Sequence, residues 1–81
     1  MMSLPVLVFA SYADAFGART VIVPVAAPCT VGELVSAMRA LPGGHRLPAK
    51  PLVAVNQAYA AMTLFVNAGD EVALIPPVAG G

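Results

Sequence analysis

The chain has 81 residues, enough for one domain that buries roughly 60 to 68% of its unfolded surface and too few for a large enzyme cleft. Four lysines and arginines offset four aspartates and glutamates, which removes the basic field that gathers nucleic acid by counterion release. With 59% hydrophobic and only 10% charged residues, the chain has more apolar surface than a small core takes up, which points to a protein partner.

Residues 4–10, LPVLVFA, are rich in β-branched and aromatic side chains and predict a first strand. Ser11 as N-cap and Gly17 as a left-handed terminus bracket one or two helical turns. Residues 20–25 predict a second strand, antiparallel to the first through that connection. Thr30 and Glu33 then have the spacing of a capping box, and Val31, Leu34, Val35, Met38 and Leu41 recur at helical spacing. The main helix lies here, and Pro42 with Gly43-Gly44 stops it. HRLPAK is a loop in which His45 and Lys50 are solvated. Residues 51–56 predict a third strand, Asn56-Gln57 a tight turn, and residues 58–61 a short returning strand. MTLFV, residues 62–66, has an ambiguous pattern compatible with a 3₁₀ turn. Residues 67–70 form a turn and residues 71–75 the final strand.

Strands around one substantial helix make a two-layer α+β domain in which the helix covers one face of the sheet. Side-chain parity tests the other face. In the first strand Val6, Val8 and Ala10 alternate with Leu7 and Phe9, and in the last Val72 and Leu74 alternate with Ala73 and Ile75. Both faces are therefore apolar, and one is left uncovered. No apolar run approaches the about 20 residues of a membrane span. The longest uncharged stretch, between Lys50 and Asp70, is broken by Pro51, Asn56, Gln57, Thr63, Asn67 and Gly69. The start of the chain lacks the basic region of a signal peptide, so a cytoplasmic protein is expected. One cysteine and one histidine make neither an internal disulfide nor a zinc site, and Cys29 reads as a small apolar residue before the helix cap.

The chain finishes GDEVALIPPVAGG, a strand followed by two prolines and a diglycine. This stretch, with LVAVNQ before it and TVGELVSAM on the helix, resembles the ubiquitin-like β-grasp sulfur carriers typified by the small subunit of molybdopterin synthase. The similarity spans nearly the whole chain, and thiamin-pathway carriers share its fold and diglycine but generally lack the Pro-Pro step. Leu64-Phe65-Val66-Asn67 departs from the family, which usually has a Pro-Leu pair and more charge there. The resemblance implies a mixed sheet packed on one main helix with short helical turns, residues 1–75, and an extended reactive tail, residues 76–81.

The resemblance also implies the chemistry. A separate ubiquitin-activating-like adenylyltransferase uses ATP to adenylate the Gly81 carboxylate, and a persulfide donor replaces adenylate with sulfur to give a thiocarboxylate. That group delivers sulfur to cyclic pyranopterin monophosphate in the synthase. The chain itself is expected to bind no cofactor, metal, nucleic acid or membrane, and the catalytic groups belong to the large synthase subunit. Phe9, Tyr59 and Ile75, with Pro76, Pro77 and Val78, would meet that large subunit. Gly80 and Gly81 lack a Cβ and so suit a narrow pocket, and the five residues after Pro76 reach at most about 16 to 18 Å. Pro76 and Pro77 restrict the unbound arm and lower the cost of ordering it. The alternatives are a sulfur carrier of another, thiamin-like pathway, a ubiquitin-like modifier joined to lysines, and an interaction domain with an inert tail.

Overall fold

A computed structural model of the chain describes residues 3–77. The elements run β1 (Leu4–Val8), α1 (Ala10–Phe16), β2 (Thr20–Val23), β3 (Cys29–Thr30), α2 (Val31–Arg39), β4 (Leu52–Val55), β5 (Ala58–Tyr59), β6 (Phe65–Val66) and β7 (Val72–Ile75). A 3₁₀ turn, Gly44–Arg46, lies between α2 and β4. The main sheet has the order β2-β1-β7-β4-β5, with β1 and β7 parallel at its centre and the other neighbours antiparallel. β3 and β6 form a separate antiparallel pair. This is the ubiquitin-like β-grasp fold, a mixed sheet with two helices.

The core follows from two periodicities. On β1 and β7, Val6, Val8, Val72 and Leu74 are buried at every second position, and on α2 Val31, Leu34, Val35 and Met38 are buried at helical spacing. Val23, Val53 and Val66 complete the contact between sheet and helix. Each of these buried side chains contributes about 1.5 to 3 kcal/mol relative to exposure.

The start of α2 is fixed by three kinds of partner for its free N–H groups. Thr30 Oγ1 accepts from the Glu33 amide at 3.1 Å, and Glu33 Oε1 accepts from the Thr30 amide at 2.8 Å, so the capping box is complete. The Val31 and Gly32 amides donate to the Leu64 and Met62 carbonyls, each at 2.9 Å. Residues 62–66 are thus a turn at Met62-Thr63 followed by β6, and the segment closes the helix terminus. A two-residue strand is too short to show a period of two, which is why neither β3 nor β6 stands out in the sequence.

Several element ends differ from the sequence-based expectation. β1 stops at Val8, and Phe9 rather than Ser11 is the residue before α1, with no side-chain cap bond. The Phe9 carbonyl accepts from the Tyr12 and Ala13 amides instead, and Ala10 takes φ 48° to swing the chain from strand into helix. Ala10 therefore belongs to the helix and not to the strand face. β2 ends at Val23 because Pro24 has no amide to donate. α2 ends at Arg39, leaving Leu41 half-buried outside it, since the residue before Pro42 is disfavoured in helical geometry. The terminus of α1 at Gly17, with φ 71°, and the Asn56-Gln57 turn, with φ 51° and 70°, match the sequence reading.

Two local devices hold the sheet in register. Asn56 exchanges backbone and side-chain bonds with the start of β7: its amide donates to the Glu71 carbonyl at 2.7 Å and its Oδ1 accepts from the Glu71 amide at 2.9 Å. Asn56 Nδ2 also donates to Asp70 Oδ1 at 3.1 Å, while Asp70 Oδ2 accepts from the Asn67 amide at 2.8 Å. The second device is the pair Gly43-Gly44, where the chain leaving α2 passes against both helices. A Cβ at Gly43 would overlap the Ala15 carbonyl oxygen, and one at buried Gly44 would overlap the Met38 carbonyl oxygen and lie 2.8 Å from the Arg39 carbonyl carbon. Gly44→Ala is therefore expected to lower stability by about 1 to 3 kcal/mol in urea denaturation, an overpacking cost set by backbone atoms that cannot rotate away.

Hydrogen bonds from the Asn67 amide and Asn56 hold the Asp70 carboxyl below its ordinary range, and bonds from Thr30 do the same for Glu33. Since the folded state binds these protons less readily than the unfolded chain, the stabilisation is present above about pH 4 and is lost as pH falls through the lower folded-state values. The urea midpoint is expected to decline below about pH 4, and Asp70→Asn to flatten that decline while lowering the midpoint at neutral pH.

Candidate functional site

β7 leaves the sheet between β1 and β4, with Leu74 beside Val8 and Val53, and Ile75 beside Leu52. Half-buried Pro76 and exposed Pro77 follow. Neither has an amide hydrogen, so the ladder cannot extend past Ile75 and the chain is released from the sheet at this point. Val78, Gly80 and Gly81, the remainder of the expected reactive arm, lie outside the described residues.

The face turned away from α2 surrounds this exit. Parity and register put Pro5 and Leu7 of β1, Ile22 of β2, Ala73 and Ile75 of β7, Leu52 of β4 and Tyr59 of β5 on it. Ile22 is 61% exposed, Leu52 46% and Tyr59 73%. Tyr59 and Ile75, both expected at a partner interface, share this face, and Phe9 stands 49% exposed at the end of β1. Phe9 also lines a cleft of about 220 Å³ with Val8, Ala10, Ala13 and Arg19.

Ile22 and Leu52 belong to the same face and escaped the sequence reading. Their signal was the alternation in TVIV and LVAV, but choosing which parity points outward requires the pairing of Ile22 with Pro5 and of Leu52 with Ile75. Leu64 and Phe65, 46% and 60% exposed, form a second apolar spot beside the start of α2.

Burial, with a smaller effect of the Glu33 carboxylate, pushes the Cys29 thiol up and away from the reactive thiolate. His45 and Lys50 are exposed in the segment between α2 and β4. Among the described residues no three metal-ligating side chains gather, and no helix is long and apolar enough to cross a membrane. What the geometry offers is an exposed apolar face around the point where the chain leaves the sheet.

A family model described as the ThiS family matches residues 6–81, from β1 through the final glycine. The chain belongs to the ThiS family. These are ubiquitin-like β-grasp proteins that serve as sulfur carriers or as ubiquitin-like modifiers. Among solved structures, this ThiS-family chain is similar to the small archaeal modifier protein SAMP1 of Haloferax volcanii, at 34% identity and TM-score 0.80, covering 98% of this chain and 99% of that one. It also shares the fold of a chain from the complex of subunits 1 and 2 of the molybdopterin-converting factor of Helicobacter pylori, at 20% identity and TM-score 0.69, covering 99% of this chain and 100% of that one.

The two faces of the ThiS-family sheet should respond differently to substitution. Leu74→Ala, on the helix side, is expected to cost about 2 to 5 kcal/mol. Ile22→Thr, on the open side, is expected to change stability by no more than about 0.5 kcal/mol. Paired urea titrations check both values, and an equally large loss at Ile22 would place that side chain in the core.

Proposed function

We propose that this chain is the sulfur-carrying small subunit of a molybdopterin synthase. The observation that carries the reading is the terminal segment GDEVALIPPVAGG, which falls within the ThiS-family match and leaves the centre of the sheet at Pro76-Pro77 amid an apolar face. A shared fold with a subunit of the Helicobacter pylori molybdopterin-converting factor supports the same choice.

In this reading a cytoplasmic adenylyltransferase, resembling ubiquitin-activating enzymes, binds ATP, and the Gly81 carboxylate attacks its α-phosphorus with loss of pyrophosphate. The terminal sulfur of a persulfide donor then attacks the acyl carbon and displaces AMP. A thiol cleaves the resulting acyl disulfide, leaving the thiocarboxylate on Gly81 and a disulfide on the donor side. The two terminal glycines present no side chain to the pocket walls, so the reacting carbon can enter a narrow cleft. Within the synthase, Phe9, Tyr59, Ile75, Pro76, Pro77 and Val78 seat the chain on the large subunit, which supplies the catalytic groups, and the thiocarboxylate transfers sulfur to cyclic pyranopterin monophosphate.

The similarity to SAMP1 at 34% identity favours a second reading, a ubiquitin-like modifier. An amine of a target lysine then captures the same acyl-adenylate, and an isopeptide replaces the thiocarboxylate.

Removing Gly81 separates these from an inert tail. In a reconstitution with the adenylyltransferase, a sulfur source and the large subunit of the native cells, the shortened chain is expected to give no molybdopterin while keeping its urea midpoint. Molybdopterin formed at the rate of the intact chain would overturn both tail-based readings. Isopeptide adducts of the intact chain without molybdopterin would select the modifier.

A further inference from the structure

The chain leaves the sheet beside a cleft. Val8 pairs with Leu74 across β1 and β7, but β1 does not run on alongside its neighbour: the chain turns at Ala10, with φ 48°, and enters α1. At this turn lies an open cleft of about 220 Å³, lined by Val8, Phe9, Ala10, Ala13 and Arg19. Four of the five are apolar, and Phe9 is half-exposed there. The Arg19 carbonyl accepts from the Val8 amide at 2.9 Å, which fixes the arginine backbone at the cleft. Its guanidinium is exposed and makes no hydrogen bond among the described residues. Asp14, the acid of α1, is not part of the lining, so the cleft presents one positive charge on an apolar floor.

The segment that matches this lining is the end of the same chain. Pro77 follows Leu74 by three residues, and Val78, Ala79, Gly80 and Gly81 come after it. Three extended residues along β7 and one strand spacing across to β1 put Pro77 no more than about 12 Å from Val8. Four extended residues span about 13 to 14 Å, so the last of them reaches the cleft. The composition fits as well. Val78 and Ala79 are small apolar residues, as the floor at Phe9 and Ala13 requires, and the two glycines allow a tight reversal of the backbone. In the function proposed above Gly81 ends in a free carboxylate, the charge complementary to Arg19 and one that a guanidinium can hold through two parallel hydrogen bonds.

We propose that residues 78–81 dock in the cleft of their own chain, with Val78 against Phe9 and the Gly81 carboxylate on Arg19. The proposal rests on the reading in which Gly81 is the free, reacting terminus. Docked and released tails exchange, and only the released tail can enter an activating enzyme, so the docked fraction weakens the apparent affinity for that enzyme. Phe9 is also one of the residues that seat the chain on a large subunit in the function proposed above. A partner that covers Phe9 therefore releases the tail that it is about to use.

Two measurements on the full chain test this. In a nuclear Overhauser spectrum at low salt, the Val78 methyls are expected to show contacts to the Phe9 ring and the Ala13 methyl. In a timed digestion by a carboxypeptidase, Arg19→Gln is expected to release Gly81 about two- to fivefold faster than the wild type, the weight of one exposed ion pair. About 1 M salt, with a Debye length of about 3 Å, is expected to bring the wild type up to the rate of the variant and leave the variant unchanged. Should Arg19→Gln lower the urea midpoint, Phe9→Ala, at a half-exposed position, is expected to give the same acceleration. Absence of the contacts, or release at equal rates in wild type and variant, overturns the proposal. Contacts found only between differently labelled copies in a mixed sample overturn it in favour of a second copy of the chain. Neither measurement uses an activating enzyme, so absence of ATP–pyrophosphate exchange with the wild-type chain would count against the proposed function and not against the docked tail.

Discussion

β1 pairs in parallel with β7, setting Val6 beside Val72 and Val8 beside Leu74 at the centre of the sheet. This joins the first strand of the chain to its last, so the centre exists only when the segments between them have been wound across one face. Parallel neighbours need a crossover, and α2 supplies the apolar stripe that covers the sheet on that side. Because β7 is the central strand, the chain leaves the sheet after Ile75 from between β1 and β4.

That constraint accounts for the unusual composition. The helix side of the sheet takes up the valines and leucines of the core, and the other side keeps Ile22, Leu52 and Tyr59 exposed. With 59% hydrophobic content in 81 residues, the chain fills the helix side of the sheet and still leaves these apolar side chains on the other. Polar bonding is concentrated at the end remote from the departing chain, where Asn56, Asn67 and Asp70 tie the β4–β5 turn to the start of β7. The departure end bears the cleft lined by Phe9 and Arg19. One end of the sheet holds register, and at the other the chain leaves it.

Much of this was legible in the residues where a local rule is strong. The Thr30-Glu33 box, the α2 stripe and the Asn56-Gln57 turn each depend on contacts within a few residues, and the structure has all three. The terminal motif likewise carries the resemblance to the β-grasp family. Features set by distant parts of the chain were not legible. Ser11 has the chemistry of a cap, yet the path from β1 into α1 turns at Ala10 and leaves Phe9 as the first acceptor. β3 and β6 exist because they pair with each other and because the Met62 and Leu64 carbonyls satisfy the start of α2, neither of which a two-residue pattern reveals. The outward parity of Ile22 and Leu52 was fixed only by their neighbours across the sheet.

In the function proposed above, the Gly81 carboxylate carries activated sulfur. Intact mass spectrometry of the untagged protein from its native cells, followed by fragmentation of the terminal peptide, tests it most directly. The expected result is a population in which one oxygen of the Gly81 carboxylate is replaced by sulfur, increased by incubation with ATP, sulfide and the activating enzyme. A terminus that stays a plain carboxylate after that incubation would contradict it.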